Sequence, residues 1–515
     1  MTAAASRFGR PVEAGVTRVT PPSRLWGSNG VAFGPDGRLH VAQFLGGRIS
    51  AVDLASGDVE VVVPVDGPVR APDDLAFGAD GSMYIADLVP GKVWRRTPAG
   101  EFSLVSDELI APNGITCVGD RLFVNEMRPG GRLLELTAAG PALLAEELAW
   151  GNAMQLGPDG HLYYPHMMTG QVWRVPVDGG AAELVAEDLP QPVAVRFDRA
   201  GTLVVLSSGA AGAVTRIDLD TGSRSTFVTG ITGLDNAAFD AGNRMFASSF
   251  ASGGIAEVRV DGRFQEVVPR GFNGPFGVAV DRGGAVHVAD HFSLARLGEE
   301  VTRELLVFSR GVATEAELLH LTTGRGEVRS HDPATGTNRV RATDLREPTG
   351  IAVAPDGALV VAETGAGRVL RIDPSDAVSV LAEGLGEPVD VALDADGRCY
   401  AADGATGAVL RLDAEPVVVA DGLDVPHGLV VRGGELVVVE TGRRRLRAIP
   451  LDGGPARTVV EDLPVGPPPG TTPPEPDPSS GVTMQPRAFA GLALDPSGDL
   501  LVAADGEGSV LRVPR

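Results

Sequence analysis

Asparagine and aspartate recur at one position of a repeated pattern in the first half of the chain. A short apolar segment returns about every 43 residues, and the residues directly before its first six copies are Asn29, Asp73, Asn113, Asn152, Val193 and Asp235. Amide and carboxylate oxygens are the ligands that hard divalent cations such as Ca²⁺ take in proteins. Asn and Asp also cap turns through local hydrogen bonds. The pattern therefore leaves a metal site and turn capping as alternative interpretations.

The second half of the chain has different residues at the same place in the repeat, namely Phe276, Arg310, Thr349, Val389, His427 and Ala490. A preference for turn residues would act on both halves alike, so the contrast favours chemistry in the first half. The second half offers His427 and Glu440, which flank the first two strands of one repeat. A histidine and a carboxylate placed close together would support proton transfer. A solvated acidic rim is the alternative interpretation.

A second set of polar residues follows the second strand of each early repeat: Gln43, Asp87, Glu126, His166, Ser207 or Ser208, and Ser249. An imidazole beside a metal-bound water is suited to act as a general base near neutral pH, so His166 is a catalytic candidate together with Glu126 and Asp73. Packing or hydrogen bonding of His166 is the alternative. Aromatic residues flank these positions and predict an apolar wall for a small substrate, although packing between repeats would also explain them: Trp26, Phe44, Trp150 and Phe250.

The elements that carry these residues are short strands. Residues 29–53 and 349–373 both show an apolar strand, an Asp-Gly turn, an alternating strand, a glycine-containing loop and a third strand. Asp-Gly between apolar runs is a hairpin signal. Twelve such units of about 43 residues match the length of a four-stranded propeller blade, and rings usually contain about four to eight blades. The sequence predicts an all-β protein with two tandem six-bladed β-propellers, at 1–262 and 263–515, and a single large ring is the alternative.

Three segments at the edges of the repeats bear on ring closure. Residues 15–21 are a spare strand at the start, and the chain ends on the third strand of a unit. The strand after Asp261-Gly262 fits either ring; if it remains with the sixth blade, the N-terminal strand is expected to close the second ring. Residues 464–486 form a proline-rich insertion that cannot form a sheet, because proline lacks the amide donor. It is either a lid or a solvated loop.

Composition excludes several classes of protein. The 515 residues carry 44 Lys and Arg against 67 Asp and Glu, a net charge of −23, which disfavours binding to nucleic acid or to anionic membranes. The two cysteines lie far apart and provide neither a disulfide framework nor a paired metal motif. No long apolar segment appears, so a cytoplasmic location is expected. The single lysine indicates a GC-rich bacterial genome. Motifs of serine hydrolases, NTPases and nicotinamide dehydrogenases do not occur.

The segments GPDGRLHVAQFLGGRISAVD and APNGITCVGDRLFVNE resemble NHL-type six-bladed propellers. Related groups are the gluconolactonase–regucalcin (senescence marker protein) proteins, the strictosidine-synthase-like proteins and, more distantly, the streptogramin B lyases. The gluconolactonase resemblance implies one divalent ion held by residues before the inner strands. Asn113 matches the Pro-Asn-Gly ligand motif of that group, with Asn152, Asp73 and Asp235 as co-ligands. Asn29 stands where that group has a glutamate.

These observations support three hypotheses. The first is a metal-assisted enzyme of the gluconolactonase type that acts on a small lactone, ester or related metabolite. Its cofactor would be a divalent metal, Ca²⁺ ahead of Mg²⁺, Mn²⁺ or Zn²⁺, held by Asn29, Asp73, Asn113, Asn152 and Asp235. The second is a lyase or cyclase that uses His427 and Glu440, as the similar His/Glu arrangement of streptogramin B lyases with Mg²⁺ implies. The third is a non-catalytic scaffold that binds a protein partner.

Overall fold

The computed structural model describes residues 12, 13, 15–298, 301–306, 308–466 and 489–515. Twelve four-stranded antiparallel sheets make up this part of the chain, and its one helical element is a single turn of 3-10 helix at Thr364–Ala366. No helix among the described residues has the length and apolar character needed to cross a membrane. The predicted all-β architecture of two six-bladed propellers is confirmed.

Blades one to six take their strands in chain order. Blade one contains β2 (Ser28–Phe33), β3 (Leu39–Gln43), β4 (Arg48–Val52) and β5 (Val59–Val63), and blade two contains β6 (Pro72–Phe77), β7 (Met83–Asp87), β8 (Lys92–Arg96) and β9 (Phe102–Ser106). Blade three contains β10 (Pro112–Val118), β11 (Arg121–Glu126), β12 (Pro129–Thr137) and β13 (Gly140–Ala149), and blade four contains β14 (Gln155–Leu156), β15 (His161–His166), β16 (Gln171–Pro176) and β17 (Glu183–Ala186). Blade five contains β18 (Pro192–Phe197), β19 (Leu203–Ser207), β20 (Ala213–Ile217) and β21 (Arg224–Val228), and blade six contains β22 (Leu234–Phe239), β23 (Met245–Ser249), β24 (Ile255–Val258) and β25 (Phe264–Val268).

Blades seven to eleven follow the same plan. Blade seven contains β26 (Pro275–Val280), β27 (Val286–Asp290), β28 (Ser293–Leu297) and β29 (Thr302–Leu305), and blade eight contains β30 (Ser309–Glu315), β31 (Leu318–Thr323), β32 (Glu327–Asp332) and β33 (Thr337–Ala342). Blade nine contains β34 (Pro348–Val353), β35 (Leu359–Glu363), β36 (Arg368–Ile372) and β37 (Val378–Ala382), and blade ten contains β38 (Pro388–Leu393), β39 (Cys399–Asp403), β40 (Ala408–Arg411) and β41 (Val417–Ala420). Blade eleven contains β42 (Pro426–Arg432), β43 (Glu435–Glu440), β44 (Arg445–Pro450) and β45 (Arg457–Val460). Blade twelve contains β46 (Leu492–Leu494), β47 (Leu500–Ala504) and β48 (Ser509–Val513), with β1 (Thr17–Arg18) as its outer strand.

The Asp-Gly turns produce the inner hairpins. Between β2 and β3, Gly37 has a φ of +76°, the left-handed conformation that glycine adopts without steric cost. The Gly34 amide donates to the Arg38 carbonyl at 2.9 Å, and the Asp36 carboxylate accepts the Arg38 amide at 3.1 Å. Alternating apolar residues of neighbouring blades then pack face to face, as Ala42 and Ile49 do against residues of blade two. The hydrophobic core is therefore divided into separate layers between consecutive blades.

The described residues divide into two compact units, residues 24–270 and residues 12–23 (without 14) together with 271–466 and 489–515. Within the first unit, the Ser248 hydroxyl of blade six donates to the Asn29 carbonyl of blade one at 2.5 Å. Within the second, the Gly491 amide of blade twelve donates to the Phe276 carbonyl of blade seven at 2.8 Å. Each unit is thus a closed ring of six blades, called the first ring and the second ring below.

The rings divide between residues 270 and 271, within the segment 260–272 where the sequence places the boundary and eight residues after the domain bound at 262/263. Val258 of β24 pairs with Phe264 of β25, so the strand after Asp261-Gly262 belongs to blade six. A short hairpin loop closes at a lower entropic cost than a distant pairing. The second ring is closed by the N-terminal strand, as Thr17 pairs with Arg512. The expected proline-rich insertion at 464–486 lies outside the described residues from 467 onward.

Candidate functional site

Residues from several blades meet at one end of the first ring's axis. Asn29, Asp73, Asn113, Asn152 and Asp235 stand at or beside the start of inner strands, and all of them are buried, with Asn29 the most exposed at 7%. The Asn29 side-chain amide donates to the Asp73 carboxylate at 3.3 Å, and Asn113 also hydrogen-bonds to Asp73. We call the group formed by Asn29, Asp73, Asp74, Asn113, Arg196, Asp235 and Asn236 the axial cluster.

Three buried carboxyl groups of the axial cluster have raised pKa values. Burial, followed by repulsion from Asp74, raises the pKa of Asp73 to about 8. Burial raises the pKa of Asp74 to about 6, although the charge of Arg196 partly opposes the shift. The pKa of Asp235 is also well above its ordinary value, because the group is buried and Asp73 and Asp74 lie nearby. The cluster therefore carries more acidic groups than its single arginine can compensate.

Arg196 links the inner strands that carry Asp74 and Asn236. Its guanidinium donates to the carbonyls of Ala237 at 2.8 Å and Met154 at 3.0 Å, and it also hydrogen-bonds to the Asn236 side chain. One of its nitrogens lies 4.0 Å from an Asp74 carboxylate oxygen. Asn236 in turn donates to Asp74 at 3.2 Å. Sequence reasoning missed this network, for which the charged residue inside the otherwise apolar strand VAVRF was the available signal.

The side-chain oxygens of the predicted ligands do not all have the same role. The Asn152 Oδ1 accepts the amide of Ala153 at 2.7 Å, which is the local turn capping that was the alternative interpretation. Among the described residues, the buried Oδ1 atoms of Asn29 and Asn113 have no hydrogen-bond partner. An unsatisfied buried acceptor costs about 1–3 kcal/mol, so these two oxygens are suited to receive a ligand.

The donor set fits a hard cation that is bound by mixed oxygen ligands. Within the described part of the chain, no three His, Cys, Asp or Glu residues are grouped as a metal site. Any ion would therefore depend on amide oxygens as well as on carboxylates. Asn29 and Asn113 present such oxygens, and Asp73 and Asp235 present carboxyl groups that would ionise as a bound cation displaced their protons. Oxygen donors of this kind match Ca²⁺ and Mn²⁺ better than metals that prefer sulfur or imidazole.

An apolar cluster adjoins the axial cluster in the first ring. It comprises Phe44, Ala71, Leu88, Ala111 and Met127, with Trp150 packed against it. The Met127 sulfur lies 3.1 Å from the Asn113 amide nitrogen and 3.7 Å from that of Asn152. The structure thus brings Phe44 and Trp150 together. Of the other two aromatic residues proposed to bind substrate, Trp26 is buried and bonded through its backbone to Gln43, and Phe250 is partly buried.

His166 has an aromatic environment. Its ring stacks on Trp173 at a centroid distance of 5.6 Å and lies 5.7 Å from Tyr164. Burial lowers the pKa of His166 to about 4. The imidazole is therefore neutral at pH 7 but weakly basic, and no contact joins it to the axial carboxylates within the described residues. Its buried Nε2 has no hydrogen-bond partner among the described residues, so packing and the catalytic hypothesis both stay open for this side chain.

Glu126 is bound by three partners outside the axial cluster. Its carboxylate accepts the Ile110 amide at 3.0 Å and forms ion pairs with Arg128 and Arg132. Burial opposes ionisation, but the Arg132 and Ile110 hydrogen bonds outweigh it and lower the pKa of Glu126. The same contact with the loop before the inner strand recurs around both rings, at Asp87, Glu363, Asp403, Glu440 and Asp505. The polar residue at the end of the second strand thus has a repeated structural role, because its carboxylate binds the backbone of the loop before the inner strand.

The second ring does not bring His427 and Glu440 into an ion pair. Glu440 accepts the Asp424 amide at 2.9 Å and pairs with Arg443 and Arg445. The His427 Nδ1 accepts the Ala490 amide at 3.3 Å, and burial lowers the pKa of His427 to about 4. Phe276, Val389 and Phe489 form an apolar cluster where the first ring has Asn and Asp. These three residues, called the apolar plug below, share this end of the axis with polar side chains: the His427 ring lies 6.3 Å from that of Phe489, and the Thr349 hydroxyl donates to the Val389 carbonyl.

Comparisons with known proteins found no matching family model and no matching curated protein. Among solved structures, a streptogramin B lyase is 18% identical, covering 56% of this chain and 97% of its own, with a TM-score of 0.41. A gluconolactonase from Xanthomonas campestris is 16% identical, covering 45% of this chain and 86% of its own, with a TM-score of 0.39. A chain of a nidogen/laminin complex is 19% identical, covering 41% and 91%, with a TM-score of 0.35. Similarity at this level does not assign an activity to this chain.

Proposed function

We propose that the protein is a metal-assisted hydrolase that acts on a small lactone or ester at the axial cluster of the first ring. The observation that carries the proposal is the set of buried, mutually repelling carboxyl groups beside two unsatisfied amide oxygens. Buried charges are stable in proteins when they are paired or coordinate a metal. Arg196 already serves Asp74 and Asn236, so a divalent cation that displaced the protons of Asp73 and Asp235 would supply the positive charge that these carboxylates lack.

A divalent cation would be held by Asn29, Asp73, Asn113 and Asp235. Asn152 would contribute indirectly, because its amide nitrogen contacts the Met127 sulfur that also contacts Asn113. When bound, such an ion polarises a carbonyl and lowers the pKa of water. The Arg196 network positions Asp73 and Asp235, because Asp74 and Asn236 are their chain neighbours and are hydrogen-bonded to each other. The apolar cluster around Phe44 and Met127 would exclude water from one side of the substrate.

We assign proton transfer to a carboxylate of the cluster, Asp73 or Asp235. Of the three candidate proton-transfer residues, Asp73 alone belongs to the cluster, whereas His166 and Glu126 have other partners. The Asp235 carboxylate accepts no hydrogen bond from the described residues, which leaves its oxygens available. Neither His427 nor Glu440 has a contact that favours the lyase hypothesis over this one.

The test combines ion binding with turnover. Protein freed of metal by a chelator is titrated with Ca²⁺ and Mn²⁺ by calorimetry and assayed with a panel of lactones and aryl esters. Asp73→Asn removes a charge and keeps the shape, so we expect at least tenfold weaker ion binding. Asp403→Asn is the matched control, since this buried carboxylate of the second ring bonds backbone amides. Absence of ion binding by the unmodified protein, or equal binding by Asp73→Asn, would contradict the proposal.

A further inference from the structure

The second ring contains an axial cavity with one charged group. The cavity has a volume of about 300 Å³, and apart from Asp390 its lining consists of glycine and apolar residues. Phe489 of the apolar plug lies at one end. At the other end are the partly exposed side chains of Val353, Leu393, Val431 and Leu494. The cavity has the size of a small ligand site, with strand backbone and aliphatic side chains in its lining and Asp390 as the one carboxylate among the described residues that line it.

Asp390 has a counterpart in the first ring. Asp74 and Asp390 both begin the buried part of an inner strand, and each accepts the amide of its own next residue at 2.9 Å. Each also accepts an amide from the following blade, from Ile115 in the first ring and from Leu429 in the second. A Cβ on the glycine of the preceding blade, Gly30 or Gly350, would lie 2.3 or 2.1 Å from the carboxylate oxygen. The two aspartates therefore occupy equivalent places on the two axes.

The two aspartates differ in their positive partner. Arg196 approaches Asp74 to 4.0 Å, and Asn236 donates to it as well. The residues that match Arg196 in the second ring are short and apolar in every blade: Ala279, Ala313, Ala352, Ala392, Val430 and Ala493. Within the described part of the chain, no arginine or histidine forms an ion pair with Asp390. Burial raises the pKa of Asp390 to about 7, and two backbone amides oppose the shift.

We propose that the axial cavity of the second ring binds a small organic cation, a primary ammonium on a short aliphatic chain, with the ammonium on Asp390. In the first ring the protein supplies its own cation to the equivalent carboxylate through Arg196. In the second ring, the five alanines and one valine at the positions that match Arg196 leave that space open. An ammonium would donate to carboxylate lone pairs that the Val391 and Leu429 amides leave free, while Ala352, Ala392 and Val430 surround the alkyl chain. This site is independent of the proposed hydrolase site.

The experiment measures binding of n-butylammonium to the full chain by calorimetry at pH 8, with 1-butanol as the uncharged probe of the same shape. We expect one n-butylammonium per chain and no binding of 1-butanol at the same concentration. Nα-acetyl-lysine methylamide separates two sources of the cation: binding equal to that of n-butylammonium identifies a lysyl side chain, and much weaker binding identifies a free amine. Absence of n-butylammonium binding, or equal binding of 1-butanol, overturns the proposal.

Two variants and a matched control locate the site. Asp390→Asn removes the charge, and we expect at least tenfold weaker binding of n-butylammonium. Asp74→Asn makes the same change at the equivalent place in the first ring and should alter binding less than twofold. Ala352→Leu fills the cavity without touching the carboxylate and should also weaken binding at least tenfold, which decides the matter if Asp390→Asn does not fold. Unchanged binding by both second-ring variants, or loss of binding in Asp74→Asn alone, overturns the proposal.

Discussion

The first and second rings have the same blade topology, yet their axes have different chemistry. At one end of the first axis, Asn29, Asp73, Asn113 and Asp235 bring polar groups together, with raised pKa values for the carboxyl groups. At the equivalent end of the second axis, Phe276, Val389 and Phe489 pack on one another. Backbone topology is therefore insufficient to create a site. The residues before the inner strands set the chemistry of this end of each ring: five of the six are Asn or Asp in the first ring, whereas the second ring combines apolar residues with Arg310, Thr349 and His427.

The rings also differ in how they are closed. Blade six takes all four strands from consecutive sequence, ending with β25. Blade twelve has three such strands and takes β1 from the start of the chain. Arg18 of β1 pairs with Glu507 through two hydrogen bonds at 2.8 and 3.0 Å, and Glu507 is fully buried. Stability of the second ring thus depends on a distant segment, whereas that of the first ring does not.

Removal of residues 1–21 should have the largest effect and should separate the two rings. The deletion exposes the edge of β48 and leaves Glu507 buried without Arg18, and loss of one partner of a buried pair alone costs about 3–5 kcal/mol. Hydrogen exchange should therefore accelerate in β46–β48 and remain unchanged in β22–β25. Equal acceleration in both rings, or in neither, would contradict the difference in closure. Arg18→Met should produce the same pattern with a smaller amplitude.

Arg196→Met tests the internal cation that distinguishes the first axis from the second. Loss of the guanidinium removes the positive charge nearest to Asp74 and the donor to the Ala237 and Met154 carbonyls, so we expect about 3 kcal/mol of destabilisation in denaturant unfolding. Combining it with Asp74→Asn should recover part of this loss, because the two side chains are coupled. Arg199→Met, an exposed arginine of the same blade, is the control and should cost less than about 1 kcal/mol. Additive effects in the double variant would show that Arg196 does not serve Asp74.

Gly30→Ala and Gly350→Ala sharpen the equivalence of Asp74 and Asp390. A Cβ at either glycine would overlap the neighbouring carboxylate, and overpacking of this kind costs about 1–3 kcal/mol. The two losses, measured by chemical denaturation, should agree within about 1 kcal/mol if the two aspartates are held alike. Gly209→Ala has open space around it and should change stability by less than about 0.5 kcal/mol. A neutral Gly350→Ala would contradict the equivalence.

His166→Phe should have the smallest effect, and its sign depends on pH. The pKa of His166 is about 4 in the folded protein and about 6.5 in the unfolded chain. Between these values the unfolded state binds more protons, so this histidine lowers stability as pH falls from 6.5 towards 4. The variant should gain about 1 kcal/mol over the unmodified protein on going from pH 7.5 to pH 5.5. His427→Phe is the second-ring counterpart and should gain a similar amount.

Turnover provides a separate check on the same substitution. Because His166 stacks on Trp173 and no hydrogen bond or ion pair joins it to the axial cluster in the described part of the chain, His166→Phe should retain turnover of any lactone or ester substrate within about tenfold. Loss of a positioned general base typically costs about 10²–10⁴-fold. A loss of that size in His166→Phe would restore the catalytic hypothesis for this residue.

The sequence by itself determined the blades, because every signal for them is local. Asp-Gly turns such as Asp36-Gly37 specify hairpins, and alternating apolar residues specify which faces pack between neighbouring blades. Counting the repeats predicted twelve blades, and the sheets confirm the two rings of six. Sequence also indicated that β1 would close the second ring if β25 remained in blade six, and both pairings occur.

The direction and partners of polar side chains were decided by tertiary structure alone. Asn152 and Asn113 have the same place in the repeat, yet the Asn152 oxygen caps its own turn and the Asn113 oxygen has no hydrogen-bond partner among the residues that the structure describes. Glu126 and Glu440 appeared to be candidates for chemistry, but arginines and loop amides hold both. Arg196 reaches Asp74 across blades that are far apart in the chain. Such contacts depend on the closure of the ring, which brings distant residues to one axis and which no local pattern encodes.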